Sequence, residues 1–82
     1  MEQDVAKVLE SETLKWLEKL HSERDSMKGF EKNKKLSSVV RNMDAYIKDA
    51  EYFLENNDLV RAFEAVVYAW GILETCRHLG LL

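Results

Sequence analysis

Residues 45–81 read AYIKDAEYFLENNDLVRAFEAVVYAWGILETCRHLGL. Before and after the asparagines near its centre, small and apolar residues recur every three or four positions, which is the spacing of one face of an α-helix. Asn57 tolerates the left-handed conformation that ends helices, and Asp58 directly after it is a good N-cap. Because so short a turn joins antiparallel neighbours, this stretch predicts a tight helical hairpin.

The hairpin is predicted to consist of one helix over about residues 38–56 and another over about residues 58–79. The first starts near Ser37 or Ser38, either of which can cap its first turn. The second stops at Gly80, which favours a left-handed conformation. The apolar arc of the second helix is too wide for one neighbour to cover, so we predict that this helix is central and touches both others. The arc comprises Leu59, Ala62, Phe63, Val66, Val67, Ala69, Trp70, Leu73 and Cys76.

The sequence before the hairpin predicts a further helix and then a long basic connection. The helix spans about residues 2–21, where apolar residues recur at helical spacing. The connection, about residues 22–36, lacks that periodicity and contains Gly29, and we expect Met27 and Phe30 to hold it against the bundle. The fold prediction for residues 1–82 is therefore an all-α, single-domain three-helix bundle. The apolar positions of the first helix are Val5, Leu9, Trp16 and Leu20, with Ala6, Thr13 and Leu17 flanking them.

Composition restricts the functional classes. With 15 acidic and 12 basic residues in 82, the chain has a formal net charge of -3, so it has no overall attraction to polyanions. A chain of this length buries only about 60 to 65% of its unfolded surface, which disfavours an interior active-site cavity. The single Cys76 excludes an intrachain disulfide, and the sequence begins without a secretion signal, so we expect a cytoplasmic location. No apolar run reaches the roughly 18 residues that a membrane span needs.

The hairpin resembles a known family, the small archaeal proteins grouped as domain of unknown function 357. Two positions depart from the family pattern: Asn57 stands where a glycine is usual, and Glu74 where an aspartate is usual. The resemblance implies a three-helix fold and supplies no activity, cofactor or partner. It is carried by Tyr46, Asp49, Ala50, Tyr52, Phe53, Asp58, Ala62, Ala65, Tyr68, Ala69, Gly71, Leu73 and the closing Leu79-Gly80-Leu81.

One polar cluster is predicted inside the hairpin. Antiparallel pairing across the turn brings Tyr68 to the level of Tyr46 and Asp49. A carboxylate beside two tyrosines could bind a polar ligand or act as a base, or it could brace the hairpin through a hydrogen bond. We favour bracing, because a catalytic base needs a neighbouring acid or nucleophile and the sequence offers none.

The pair Glu74 and His78 has a spacing that could present two metal ligands on one helix face. Two ligands do not complete a site, and a surface pair near the helix end explains the spacing as well. Cys76 continues the apolar seam and is interpreted as a core residue rather than a reactive thiol. We therefore predict no metal, no cofactor and no enzymatic activity.

Gly71 is unusual because a glycine inside a helix costs about 1 kcal/mol relative to alanine. Close approach of another helix would offset that cost. The crossing helix is either the first helix of the same chain or a helix of a second subunit, and both remain open. The candidate interaction strip on this side of the helix is Val60, Glu64, Val67, Gly71, Glu74 and His78.

The basic connection offers a possible contact with RNA, in which lysines would bind phosphates and Phe30 would stack on a base. Such a run is also typical of a solvated loop, which the acidic remainder of the chain favours. We predict a non-catalytic protein-interaction or assembly module, whose partner is an unknown protein or a second copy of the chain. Weak RNA binding is the alternative, and an enzyme ranks last. The nucleic-acid candidates are Lys28, Phe30, Lys32, Lys34, Lys35 and Arg41.

Overall fold

The structure, a computed structural model, describes residues 4–27 and 29–81. Within these residues three α-helices are present, α1 (Val5–Asp25), α2 (Lys34–Glu55) and α3 (Leu59–His78), with one 3₁₀ turn (Phe30–Lys32) between α1 and α2. The described residues contain no strand. The predicted all-α three-helix bundle is thereby confirmed.

The helix order is up, down, up, so that α1 and α3 run parallel and α2 runs antiparallel to both. The parallel register is visible in two contacts, Trp16 with Trp70 and Glu23 with Arg77, each of which spans 54 residues. α3 packs against both α1 and α2, whereas α1 and α2 meet mainly through side chains. α3 is the central helix, as its wide apolar arc predicts.

The core lies where the three helices face one another. Leu20, Met43 and Leu73, one from each helix, are completely or almost completely buried. Burying each such side chain contributes roughly 1.5–3 kcal/mol before conformational entropy is counted. Small residues at Ala50 and Ala69 are also fully buried and allow α2 and α3 to approach closely.

The face that α1 buries is shifted around the helix from the predicted stripe toward two of the residues predicted to flank it. Thr13, Leu17 and Leu20 are buried, whereas Val5 is 74% exposed and Trp16 only partly covered. Thr13 can occupy the core because its hydroxyl donates a hydrogen bond to the Leu9 carbonyl oxygen at 2.7 Å.

The connection after α1 is shorter than the sequence predicts. α1 continues to Asp25 instead of ending near residue 21, because Glu23 and Arg24 pair with residues of α3 and α2. α2 starts at Lys34 instead of near residue 38, because the Asn33 side chain accepts hydrogen bonds from the amides of the first turn at 3.0 and 3.2 Å. Ser37 and Ser38 consequently lie inside α2. Met27 and Phe30 do pack against the core, as expected.

The turn between α2 and α3 has the predicted chemistry. Asn57 has a φ of 57°, in the left-handed region. The amide of Asp58 donates to the Phe53 carbonyl oxygen at 2.8 Å, which closes α2 in a Schellman motif, and the Asp58 side chain caps α3 by accepting from the Arg61 amide. Gly80, with a φ of 73°, ends α3 in the same way.

Candidate functional site

Gly71 lies on the exposed side of α3, and its surroundings decide between the two explanations for it. A Cβ atom built at Gly71 would have no atom of the described residues within 4 Å beyond its immediate helical neighbourhood. Of the two alternatives for the helix that crosses Gly71, α1 of the same chain is therefore not the one found. α1 instead contacts the adjacent face of α3, at Trp70, which is about 100° away around the helix.

The open space above Gly71 belongs to a groove between α1 and α3, which we name the 1–3 groove. Its volume is about 380 Å³. Apolar surface dominates, and several side chains remain accessible: Trp16 is 38%, Phe63 36% and Val67 49% exposed. The lining residues are Trp16 from α1 and Phe63, Val66, Val67, Trp70, Gly71 and Glu74 from α3.

Two tryptophans form the rigid part of the 1–3 groove. The rings of Trp16 and Trp70 meet edge to face, with centroids 5.7 Å apart and planes at 89°. The indole N–H of Trp70 donates to the Trp16 carbonyl oxygen at 3.0 Å, and that of Trp16 donates to the Glu12 carboxylate at 3.1 Å. Because both polar ends are satisfied, the rings are held in place and the groove is formed in advance of binding.

The two walls of the 1–3 groove carry opposite charge. On the α1 side, the ammonium groups of Lys19 and Lys15 lie 4.6 and 5.6 Å from the centroid of the Trp16 ring. On the α3 side, Glu74 lines the groove. Glu12 also stands on α1, where its carboxylate accepts from Trp16 and pairs with Lys15 at 3.9 Å, so the net positive charge of this wall comes from Lys19. The groove thus presents a positive edge and a negative edge along an apolar floor.

The apolar surface extends beyond the 1–3 groove toward the start of α3. There Val60, which is 69% exposed, borders a second shallow depression that also includes Val5 and Leu9 of α1. From Val60 to Glu74 the helix rises about 21 Å, which corresponds to about four turns. This is a length that one helix face of a binding partner could cover.

The predicted interaction strip is only partly assembled into this site. All six of its residues are exposed, but Val67, Gly71 and Glu74 line the 1–3 groove, Val60 borders the second depression, and Glu64 and His78 line neither. The sequence interpretation missed Trp16 and Phe63 as surface residues and assigned them to the core, whereas Trp70 does pack against the core. The lysines immediately before and three residues after Trp16 are the sequence signal that one edge of that ring reaches solvent.

The tyrosines of the predicted polar cluster meet, but the carboxylate does not join them. The rings of Tyr46 and Tyr68 contact each other with centroids 5.4 Å apart, which confirms that the two residues share a level of the hairpin. Asp49 is exposed, and within residues 29–81 its carboxylate makes no hydrogen bond with either hydroxyl. The hairpin is braced here by the aromatic contact rather than by the expected hydrogen bond.

The described residues contain no group of three or more His, Cys, Asp or Glu side chains that could hold a metal ion. Cys76 is buried in the seam of α3, where the sequence places it. Within the same part of the chain, no buried side-chain polar atom lacks a hydrogen-bond partner.

The aromatic residue of the basic connection packs against the core. Phe30 is half-buried against the core, and the Arg24 guanidinium lies 4.8 Å from the centroid of its ring. Stacking of Phe30 on a base would require it to leave this place. The cationic candidates Lys32, Lys34, Lys35 and Arg41 are exposed, and Lys28 lies outside the described residues.

Arg24 also links α1 to α2. Its guanidinium binds both carboxylate oxygens of Asp44, at 2.6 and 3.0 Å. The hydrogen bond to Asp44 raises the pKa of Arg24 further above its ordinary value. The pair is only partly exposed, and it is not recognisable in the sequence because its members are 20 residues apart.

Comparison with known proteins agrees with this architecture. The sequence profile of the family described as "Protein of unknown function (DUF357)" matches residues 15–82. The chain belongs to this family. The crystal structure of protein AF1782 from Archaeoglobus fulgidus, also assigned to DUF357, is similar to it, with 44% sequence identity, a TM-score of 0.81 and coverage of 94% of this chain and 93% of that chain. No curated protein matches the chain.

The DUF357 match begins at Lys15, so it includes Trp16 and Lys19 on α1 as well as the whole hairpin. The resemblance predicted from the sequence rests on the hairpin alone and is confirmed over this longer span. Membership in this family supports the helical fold and does not assign an activity. Among the described residues, no helix combines the length and the apolar character that crossing a bilayer requires.

Proposed function

We propose that the protein is a non-catalytic protein-interaction module that binds its partner in the 1–3 groove. The observation that carries this proposal is the open space at Gly71. A glycine inside a helix costs about 1 kcal/mol, and no crossing helix within the described residues offsets that cost. A partner that packs directly on the α3 backbone would explain why residue 71 has no side chain.

The composition of the 1–3 groove supports protein binding. Partly exposed tryptophan and phenylalanine are typical of the anchor residues that dominate binding energy at protein interfaces. Here Trp16 and Trp70 are already fixed by their mutual contact and hydrogen bonds, so little side-chain entropy would be lost on binding. Contiguous exposed apolar surface of this kind commonly marks an interaction site.

The same lining argues for binding rather than catalysis. Among the described residues that line the 1–3 groove, the ionisable group is the carboxylate of Glu74. General acid–base or nucleophilic chemistry needs a second positioned group beside the first. We also place the module in the cytoplasm, where the free thiol of Cys76 would remain reduced.

The proposal is tested by blocking the 1–3 groove in the chain's native cells. Gly71→Leu adds a side chain to open space and replaces a poor helix former with a good one, so we expect the variant to fold. The control, Lys48→Leu, adds the same side chain to the exposed outer face of α2.

Affinity purification of tagged wild type and both variants gives the result. We expect proteins recovered with the wild type and with Lys48→Leu to be lost with Gly71→Leu. Circular dichroism of the purified variants establishes that both are folded. Recovery of the same proteins with folded Gly71→Leu would refute the groove as the binding site.

A further inference from the structure

The parallel register of α1 and α3 places specific side chains of the two walls at equal heights. Trp16 lies beside Trp70 and Glu23 beside Arg77, so the offset between the helices is 54 residues at both places. With this offset, Trp16 is level with Trp70 and therefore with the neighbouring Gly71. Lys19, three residues further along α1, is level with Leu73 and the neighbouring Glu74.

This equality of height matters for one symmetric arrangement of two chains. A two-fold axis that lies in the interface and runs parallel to the helices exchanges the two walls without changing the height of any residue. It would lay α1 of each chain over α3 of the other. Trp16 would then face Gly71 of the second copy, and Lys19 would face Glu74 of the second copy, with each contact formed twice as two-fold symmetry requires.

From this match we infer that the 1–3 groove binds a second copy of the same chain, with a parallel two-fold axis. The inference rests on the proposed function and names its partner. A partly exposed indole meets the place where α3 has no side chain, and a positive edge meets a negative edge. Shape and charge are thus both self-complementary.

The other face-to-face arrangement is disfavoured by charge. A two-fold axis perpendicular to the helices would pack α1 against α1 and α3 against α3. The lysines beside Trp16 would then lie on the wall that faces the same lysines of the second copy, and Glu74 would lie on the wall that faces Glu74 of the second copy. Like charges across an interface oppose association, so the parallel axis is the arrangement that the groove selects.

The test is a pair of opposite charge changes on the full-length chain, followed by light scattering and sedimentation equilibrium from the low micromolar to the millimolar range. The wide range is needed because a face about 21 Å long forms a small interface. Lys19→Glu gives both walls negative charge, and Glu74→Lys gives both walls positive charge. We expect the wild type to reach the mass of two chains and each variant alone to show a twofold lower mass.

An equimolar mixture of Lys19→Glu and Glu74→Lys should recover the mass of two chains, because every facing pair is then again one acid and one base. The matched control is Lys48→Glu, which makes the same charge change on the outer face of α2 and should leave the dimer intact. Circular dichroism on each sample separates loss of association from loss of folding. Recovery in the mixture cannot come from a pair within one chain.

Three outcomes would overturn the inference. A wild type with the mass of one chain at every concentration excludes the second copy. A dimer that survives both charge changes excludes this interface, and single variants that do not recover on mixing exclude the parallel register. If the wild type is monomeric while Gly71→Leu still loses its co-purifying proteins, the proposed function stands and only the identity of the partner fails.

Discussion

Replacement of Gly71 by alanine should stabilise the isolated chain. The added methyl group enters open space, since no atom of the described residues lies within 4 Å of its position, so no packing is disturbed. The change in helix propensity then acts alone and contributes about 0.8–1.0 kcal/mol. For a domain of this size, that free energy corresponds to a rise in Tm of roughly 4–8 °C.

Urea unfolding followed by far-ultraviolet circular dichroism measures this effect directly. The slope m should not change, because the folded surface is nearly the same, so the whole effect appears in the midpoint. With m of about 1–3 kcal/mol/M, we expect the midpoint to rise by roughly 0.3–1 M. The experiment is done in dilute solution, at a concentration where light scattering gives the mass of one chain. If the 1–3 groove binds a second copy, the gain should shrink at high concentration, because the methyl group then occupies space that the second copy needs.

Ala45→Gly is the matched control for this prediction. Ala45 is exposed and lies inside α2, so the reverse change should lower stability by a similar amount, again about 1 kcal/mol. If Ala45→Gly destabilises the chain as expected but Gly71→Ala fails to stabilise it in dilute solution, the space above Gly71 is already occupied and the reasoning about the 1–3 groove is refuted.

Three further predictions concern the turn, the link between α1 and α2, and the basic connection. Asn57→Gly should leave the free energy of unfolding unchanged or raise it, whereas Asn57→Val should lower it by about 1 kcal/mol or more, because glycine tolerates a φ of 57° and valine does not. An equal loss of stability in denaturant melts of both variants would contradict this prediction. Arg24→Lys should cost roughly 1 kcal/mol because lysine cannot bind both oxygens of Asp44, and an unchanged melt relative to the control Lys48→Arg would show that the pair contributes nothing. The chain should not shift single-stranded RNA in low-salt gel-shift assays, because Phe30 is packed against the core and does not stack on a base. A shift that disappears when Lys32, Lys34 and Lys35 are changed to glutamine would contradict this prediction.

The hairpin could be predicted from the sequence because its determinants are local. Asn57, Asp58 and Gly80 act on amides and carbonyls only a few residues away, so their effect does not depend on the rest of the fold. The seam of α3 is equally readable, since the alternation of three and four residues is a property of one helix. Its width correctly indicated two neighbours.

The ends of the connection could not be predicted because distant residues determine them. The last turn of α1 is charged and has no apolar periodicity, yet it is helical because Glu23 and Arg24 find partners on other helices. The start of α2 was placed too late for another reason, since Ser37 and Ser38 are good capping residues but the structure uses Asn33, which has the same capping chemistry.

The candidate site was predicted in part. The sequence singled out Gly71 through its unfavourable propensity, but which residues surround it depends on the register between α1 and α3. Spacing on α1 gave Trp16 the same status as Leu20, although Leu20 is fully buried and Trp16 is not. A shift of a few tens of degrees around a helix separates a core residue from a groove wall, and periodicity alone does not resolve it.

The separation of 54 residues between α1 and its contacts on α3 also affects how the chain folds. α2 and α3 are joined by a turn of a few residues, so they can pair as soon as both have formed, whereas α1 must close a loop through the whole hairpin, at a greater loss of chain entropy. During synthesis on the ribosome, α1 emerges first and lacks its main packing partner until α3 has been made. Leu17 and Leu20 therefore remain accessible to chaperones and to other nascent chains for longer than any other part of the core, and the first helix to be synthesised is the last to be buried.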